Sequence, residues 1–344
     1  MRVVIAGASG FLGTHLSDHL RVHGHEVTAL VRREPGSAHE SRWDPAAGSI
    51  DSAVIESADA VVNLAGAPIA GNPHSRKWAR EVLESRVSTT RLLAETIAAT
   101  ERPAAFLAGN GVAWYGDHGT SPVTEDTPST GDAFLTNVSH EWSAAADPAR
   151  KAGARVCELR TSPVMDRTSP VTEDTPSTGD AFLTNVSHEW SEAADPARKA
   201  GARVCELRTS PVMDRTSPPL KQLRLLFQAG GGARLGSGEQ FMPMISLRDW
   251  IGAVSYLIES RDVSGAFNLC CPNTPTNAEF TKVLAAALHR KAFFAVPATL
   301  MKMAAGDLAP EVLGSVNARP AALERAGYDF EDEDVREVLT AALS

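Results

Sequence analysis

The first 35 residues place three features in an order that few folds can use. Residues 3–6 form a β-branched run, residues 7–13 carry three glycines, and residues 26–31 have the composition of a second strand. Between the glycines and that strand, leucines recur one helical turn apart at Leu12, Leu16 and Leu20. The sequence therefore predicts a strand, a glycine turn, a helix and a parallel strand at its start.

Glycines in this position let the backbone turn tightly and let its N–H groups approach a pyrophosphate at the positive end of the helix. This is the βαβ unit of a Rossmann fold, and it predicts a bound nucleotide cofactor. The alternative is a glycine-rich turn that binds no ligand. The contacts predicted here are Gly7, Ser9, Gly10, Phe11, Leu12 and Gly13.

The residues after the second predicted strand indicate which cofactor is bound. An NAD enzyme usually has Asp or Glu there to accept the ribose hydroxyls, whereas this chain has Arg32 and Arg33. Arginine makes bidentate, charge-assisted contacts with phosphate, and a carboxylate would repel it. The pair therefore predicts NADP(H), with two solvated surface arginines as the alternative.

A second predicted contact region follows residues 59–63, which read as the fourth strand. That strand ends in Asn63, Leu64, Ala65 and Gly66, and strand ends of this kind border the cofactor crevice. By contrast, His15, His19 and His23 lie beside the leucines with no carboxylate or cysteine partner, so we predict a helix flank and no metal site.

Composition excludes several classes of protein. The chain has 344 residues, a net charge of −9 and 43% hydrophobic residues, which indicates a globular fold and argues against nucleic-acid or anionic-membrane binding. No apolar run is long enough to span a membrane. Its four cysteines show no disulfide framework or metal-binding spacing, which predicts a reducing, cytoplasmic location.

The middle of the chain contains a tandem repeat. Residues 120–167 recur as residues 168–215, and the copies differ only in Ala144 against Glu192. Each copy reads as a polar loop, a helix and a strand. Because a Rossmann sheet offers one position for that strand, we predict that one copy occupies the sheet while the other bulges outward or swaps into a second molecule.

Several motifs together resemble the extended short-chain dehydrogenases/reductases. More closely, the chain resembles their atypical epimerase-like subfamily, which includes SulA-labelled bacterial proteins and a human NADP-binding homologue. Besides the glycine turn and residues 63–66, the matching pieces are residues 43–45, 81–86, 114–117, 235–240, 268–272 and 276–280. They span nearly the whole chain apart from the second copy of the repeat.

The resemblance implies an α/β fold, with a doubly wound parallel Rossmann sheet and a small C-terminal α/β substrate domain. We expect an NADP-binding domain over residues 1–216 and a mainly substrate-binding domain over residues 217–344, part of which returns to the Rossmann body. The resemblance also implies cofactor contacts by Arg32, Leu64, Ala65, Glu81, Arg86 and the loop around Val212. From the residues alone, Glu81 and Arg86 would instead lie on a solvated helix face.

The catalytic residues are harder to predict. Standard members of the superfamily use Tyr-x-x-x-Lys, in which the lysine lowers the pKa of the phenol, but none of the three tyrosines here has that lysine. The corresponding helix has Leu135 and Ser139, or Leu183 and Ser187 in the second copy. We therefore predict that Asn110 orients a substrate carbonyl and that Tyr115 is the acid/base, with a structural aromatic as the alternative for Tyr115.

Other polar residues admit two interpretations. His140 or His188 could titrate near neutral pH, although an exposed helix position is favoured. Gln240 and Asp249 could bind substrate, and Asp249 could equally cap a helix from Trp250 to Glu259.

Two functions remain open at this stage. One is an NADP-dependent oxidoreductase or nucleotide-sugar epimerase-like enzyme that acts on a small polar substrate. A homodimer, including one formed by swapping the repeat, is compatible with this function. The other is an NADP(H)-binding sensor or scaffold that has lost catalysis. An intact cofactor motif favours the enzyme, whereas the missing Tyr-x-x-x-Lys favours the sensor.

Overall fold

The computed structural model describes residues 1–68, 74–100, 104–128, 156–160, 204–260, 265–292, 294–297 and 313–344, with isolated positions at 141, 144–146, 148–149, 263, 299–300 and 303. Within these ranges the chain is an α/β protein built on one nine-stranded sheet. The sheet is parallel except where its last two strands, β3 (Glu40–Asp44) and β4 (Ser49–Ile50), form an antiparallel hairpin.

The strands of that sheet follow the order β13-β9-β8-β6-β5-β1-β2-β3-β4. Their bounds are β1 (Arg2–Ala6), β2 (Glu26–Val31), β3 (Glu40–Asp44), β4 (Ser49–Ile50), β5 (Ala60–Asn63), β6 (Ala105–Asn110), β8 (Val156–Arg160), β9 (Val204–Thr209) and β13 (Gly265–Leu269). Three two-stranded pairs are added by β7 (Pro122–Val123) with β15 (Asn317–Ala318), β10 (Val212–Met213) with β12 (Ile245–Ser246), and β11 (Ala233–Leu235) with β14 (Phe294–Val296).

The described helices connect these strands. They are α1 (Phe11–Val22), α2 (Ser52–Glu56), α3 (Arg76–Ala98), α4 (Pro218–Gln228), α5 (Leu247–Glu259), α6 (Asn277–Ala287), α7 (Ala321–Ala326) and α8 (Val335–Leu343), with a 3₁₀ turn at Val112–Tyr115. The predicted strand, glycine turn, helix and strand at the chain start are confirmed by β1, α1 and β2. The predicted fourth strand is the fifth along the chain, because the β3–β4 hairpin adds a strand before it.

The two faces of the sheet bury different residues, as the twofold alternation of strand side chains requires. In β1, Val3 and Ile5 belong to one core cluster, which also contains Trp250 of α5. Val4 and Ala6 belong to the cluster on the other face. A third cluster lies in the C-terminal part, where α4, α6 and α8 pack together.

Two C-terminal elements return to the main sheet. Helix α5 packs in the same core cluster as α1, and β13 pairs with β9 in parallel register. Among the described helices, none combines the length and the apolar composition needed to cross a bilayer.

The structure contradicts the expectation that only one copy of the repeat enters the sheet. Strands β8 and β9 have the same sequence, come from different copies, and pair in parallel with Cys157 opposite Cys205. A strand that fits β6 on one edge and β13 on the other can also accept its own duplicate, because the two strands have the same pleat and pattern. The prediction that one copy bulges outward is therefore wrong for the strand of each copy, because both strands lie in the sheet.

The start of the first copy and the end of the second copy also form elements of the fold. The start of the first copy forms β7, and Ala146 and Ala149 of its helical region lie in the core beneath the sheet. The end of the second copy leads from β9 into β10. Beyond the end of β8, Gly111 forms a bridge directly with Thr209 of the second copy. Residues 161–203 lie outside the described part of the chain.

Candidate functional site

The glycine turn leaves an open helix end at the carboxyl edge of β1. Gly7 has a φ of 81°, and a Cβ there would lie 2.7 Å from the Leu64 carbonyl carbon. A Cβ on Gly13 would lie 2.2 Å from the Gly7 carbonyl oxygen, so both positions require glycine for packing. Gly10 is the exposed N-cap of α1 and has no side-chain cap. The first backbone N–H groups of α1 therefore have no capping side chain, and such groups suit an anion.

The turn after β5 lies against this helix end and is held by buried Asn63. Its side-chain nitrogen donates to the Thr90 hydroxyl at 2.9 Å, and its oxygen accepts from the Ala65 backbone N–H at 3.0 Å. The Leu64 backbone N–H also donates to the Ala6 carbonyl at 2.9 Å. These contacts fix Leu64 and Ala65 beside the glycine turn, where the sequence placed both.

Helix α3 supports the same turn through Arg86. The guanidinium is buried and donates to the carbonyl oxygens of Ala67 at 3.1 Å and of Val82 at 2.9 Å. Burial lowers the pKa of Arg86 to about 10. Its side chain lies 3.2 Å from the point where a Cβ on Gly66 would stand, so the glycine admits this close approach. The structure thus places Arg86 beside the predicted cofactor turn.

Glu81 and Val212 have different surroundings. Glu81 is exposed on α3 and lies about 140° around the helix from Arg86, which fits the solvated face that we weighed for it. Val212 is buried in β10, where its side chain joins the core cluster of β1 and α5. Only the backbone of Val212 is therefore available to contact a cofactor.

The two arginines after β2 also differ. Arg33 forms a two-point ion pair with Glu40, at 2.8 Å and 2.5 Å, and donates to the Glu34 carbonyl. This pairing lowers the pKa of the Glu40 carboxyl, chiefly through the Arg33 hydrogen bond. Arg32 is exposed and has no partner among the described residues. Arg32 is therefore the arginine available to a ligand.

Tyr115 lies in a buried polar cluster at the carboxyl ends of β6, β9 and β13. Its hydroxyl donates to the Asn268 side-chain oxygen at 2.8 Å and accepts from Arg208, whose guanidinium stacks 4.1 Å above the Trp114 ring. The Asn268 backbone N–H donates to Glu125 at 2.7 Å, and burial raises the pKa of that carboxyl. Tyr115 is fully buried, which favours its structural alternative over the acid/base prediction.

Other predicted chemical groups lie partly or wholly outside the described residues. Asn110 ends β6 opposite Arg160, but its side chain lies outside the described part. Leu135, Ser139 and His140, with their counterparts Leu183, Ser187 and His188, lie outside it entirely.

The structure corrects the interpretation of Asp249 as a helix cap. Helix α5 begins three residues earlier than predicted, and its cap is Ser246, whose hydroxyl accepts from the Asp249 backbone N–H. The buried Asp249 carboxylate instead accepts from the backbone N–H groups of Glu331 and Asp332, both at 2.9 Å. Gln240 donates to the Leu235 carbonyl at 3.0 Å. Both side chains therefore hold C-terminal segments together.

Sequence reasoning did not single out Arg208 or Glu125, although both are buried charges near the strand ends. The sequence signal available for Arg208 was an arginine at the carboxyl end of a strand, in the run Leu-Arg-Thr-Ser-Pro. Such a residue is costly to bury unless it is held by hydrogen bonds or another charge.

Replacing Asn63 tests how firmly the second turn is fixed. We expect Asn63→Ala to lower the free energy of unfolding by about 2 kcal/mol, because the Ala65 N–H and the Thr90 hydroxyl lose their partner in a buried site. Urea denaturation measures this loss. Asn273→Ala, which removes an exposed asparagine side chain, should change stability by less than about 0.5 kcal/mol. Equal effects of the two changes would show that Asn63 does not hold the turn.

The fold and the glycine site together define a Rossmann-type nucleotide-cofactor protein. Residues 3–170 match the model of the NAD dependent epimerase/dehydratase family, and residues 296–342 match a domain of unknown function, DUF1731. The epimerase family protein Mb2239 of Mycobacterium bovis is 32% identical over 98% of this chain and 96% of its own. The chain therefore belongs to this epimerase family of extended short-chain dehydrogenases/reductases.

Solved structures give the same result. The human epimerase family protein SDR39U1, crystallised with NADPH, matches with a TM-score of 0.76 and 29% identity over 99% of both chains. MoeE5, crystallised with UDP-glucuronic acid and NAD, matches with a TM-score of 0.67 over 100% of this chain and 98% of its own. Its 18% identity shows the shared fold alone.

Proposed function

We propose that this protein is an NADP(H)-dependent oxidoreductase or epimerase-like enzyme that acts on a small polar substrate. The observation that carries the proposal is the open N-terminus of α1 at Gly10, beside the turn that Asn63 and Arg86 hold. The human relative that was crystallised with NADPH supports the same cofactor.

The residues present fit that cofactor. The uncapped backbone N–H groups at the start of α1 would bind the pyrophosphate, since a side chain at Gly10 would fill the space outside the turn. Arg32 would bind the 2′-phosphate, and the backbone at Leu64, Ala65 and Val212 would line the rest of the crevice. When bound, NADP(H) supplies the hydride chemistry.

The chain's own part in the reaction is binding and orientation. Asn110 ends β6 beside the crevice, and its amide would hold a substrate carbonyl by hydrogen bonding. Tyr115 is held by Asn268 and Arg208, so its role in our proposal is to fix the strand ends. A homodimer remains part of the proposal. Because β8 and β9 pair within one chain, their pairing gives no reason for the repeat to swap between two molecules.

The competing function is a cofactor-binding sensor without catalysis, favoured by the absence of Tyr-x-x-x-Lys from the sequence. A screen of NADPH oxidation, followed by absorbance, against carbonyl metabolites and nucleotide sugars separates the two functions. If the protein is an enzyme, we expect turnover with at least one substrate class. Turnover should then fall in Asn110→Ala while the affinity for NADPH is unchanged. Tight NADPH binding with no turnover across the screen would favour the sensor.

The two arginines give a matched test of the cofactor assignment. We expect Arg32→Ala to weaken NADPH binding about tenfold and to leave NADH binding unchanged, because one charge-assisted phosphate contact is lost. Arg33→Ala removes the same charge from a side chain that already binds Glu40, so its effect should stay within about twofold. Calorimetric titration measures both variants. NADPH binding that is insensitive to Arg32→Ala would refute the assignment.

A further inference from the structure

The loop between β2 and β3 is held by a carboxylate that belongs to the sheet. Glu40 begins β3, opposite Ala29 of β2, and its side chain is only 18% exposed. One of its oxygens accepts from the Gly36 backbone N–H at 2.6 Å. Its own backbone N–H donates to the Ser37 carbonyl at 3.2 Å. Glu40 is therefore a fixed point for the loop, because its strand is part of the nine-stranded sheet.

Arg33 reaches this carboxylate from the loop. Its two terminal guanidinium nitrogens donate to the two Glu40 oxygens at 2.8 Å and 2.5 Å, and one of them also donates to the Glu34 carbonyl at 2.9 Å. A two-point pair of this kind holds better than an ordinary surface ion pair, because two parallel hydrogen bonds fix its geometry. The end of the Arg33 side chain that could bind a phosphate is therefore occupied within the chain.

The other charges around Arg32 also cancel in pairs. Arg33 is paired with Glu40. Arg42 of β3 is paired with Glu34. Each pair has no net charge, so it adds little attraction for a phosphate bound nearby. Arg32 is exposed and has no partner among the described residues, so it is the one unbalanced positive charge of this segment.

Arg33 is close enough to Arg32 to serve the same phosphate. Consecutive Cα atoms lie about 3.8 Å apart, which is less than the length of an extended arginine side chain. The Arg33 side chain is 63% exposed, so little packing would resist its turning toward a ligand. What holds its guanidinium in place is chiefly the contact with Glu40.

We propose that Glu40 limits the affinity of the protein for NADPH by holding Arg33 away from the 2′-phosphate, so that Arg32 alone contacts this group. A second arginine would bind the phosphate more tightly, because a guanidinium interacts more strongly with a dianion than with a single carboxylate. Glu40 is thus a specificity-determining residue, since it sets how strongly NADPH is preferred over NADH. The inference rests on the proposed function, because it concerns the cofactor site of that enzyme.

The test is calorimetric titration of NADPH and NADH into the full chain and into Glu40→Gln. Glutamine keeps an oxygen for the Gly36 N–H but lacks the charge and the second oxygen of the two-point pair. We expect NADPH to bind about fivefold more tightly to this variant, while NADH, which has no 2′-phosphate, stays within about twofold. Glu26→Gln removes an equal charge from an exposed position at the amino end of β2 and should leave both affinities within about twofold.

The double variant Arg33→Ala/Glu40→Gln shows which side chain produces the gain. We expect its NADPH affinity to return to within about twofold of the unmodified protein, because no second arginine remains to bind the phosphate. Native circular dichroism checks the fold of each variant.

An NADPH affinity that is unchanged or lower in Glu40→Gln would overturn the inference. A gain that persists in the double variant would also overturn it, as would an equal change in NADH affinity, which would show that Glu40 acts on the whole loop. All of these results leave the proposed function intact if NADPH binds and Arg32→Ala weakens that binding. Failure of the unmodified protein to bind NADPH would overturn the proposed function and this inference together.

Discussion

We expect Gly10→Val to weaken NADPH binding by about two orders of magnitude while the protein stays folded. Gly10 has a φ of −75° and a ψ of 168°, a conformation that valine adopts readily. A Cβ there would lie 3.3 Å from the Gly7 carbonyl oxygen, which requires only a small adjustment. The side chain would then occupy the space in front of the helix N-terminus and displace at least two charge-assisted contacts to the pyrophosphate.

Gly13→Val is the matched comparison within the same turn. A Cβ at Gly13 would lie 2.2 Å from the Gly7 carbonyl oxygen and 2.7 Å from the Ala8 Cα, and both are backbone atoms that cannot move aside. We expect this variant to lose about 3 kcal/mol of stability or to fail to fold. Calorimetry with NADPH and thermal melting separate the two effects. A Gly10→Val protein with native circular dichroism and an unchanged NADPH affinity would contradict the site.

Deleting residues 168–215 should leave NADPH binding within about twofold and should not lower the melting temperature. The deletion joins Arg167 to Thr216, and residues 161–167 have the same sequence as residues 209–215, so the junction with β10 is recreated. β8 would then pair with β13 through the residues that β9 uses now. Arg160 would take the place of Arg208 beside Tyr115.

The physical basis of this expectation is that every segment removed by the deletion has a counterpart of nearly identical sequence in the first copy, which remains. A shorter connection also lowers the entropy lost on folding, although only slowly with length. Differential scanning calorimetry and NADPH titration of the shortened chain measure the outcome. If the shortened chain unfolds or loses cofactor binding, the nine-stranded sheet needs both copies.

Local pattern was sufficient to predict the cofactor half of the fold. The β-branched run, the glycines and the leucine spacing predicted β1, α1 and β2, because each depends on residues close in sequence. The strand end at Asn63 was predicted for the same reason. That Asn63 would reach Thr90, 27 residues away, could not be inferred, because it depends on how α3 packs on the sheet.

The features that the sequence did not reveal depend on tertiary contacts. Arg32 and Arg33 look equivalent in sequence, and only the position of Glu40 in β3 separates them. Asp249 resembled a helix cap, but α5 begins at Leu247 and leaves that carboxylate to the segment near Glu331. The one-strand expectation for the repeat assumed a fixed sheet size, whereas an identical strand can extend a parallel sheet in register.

The most direct test of the central claim is calorimetric titration of the unmodified protein with NADPH and, separately, with NADH. We expect a single NADPH site per chain and at least about tenfold weaker binding of NADH, since Arg32 has no partner among the described residues and is available to bind the 2′-phosphate. Equal affinities for the two cofactors, or no binding of either, would contradict it.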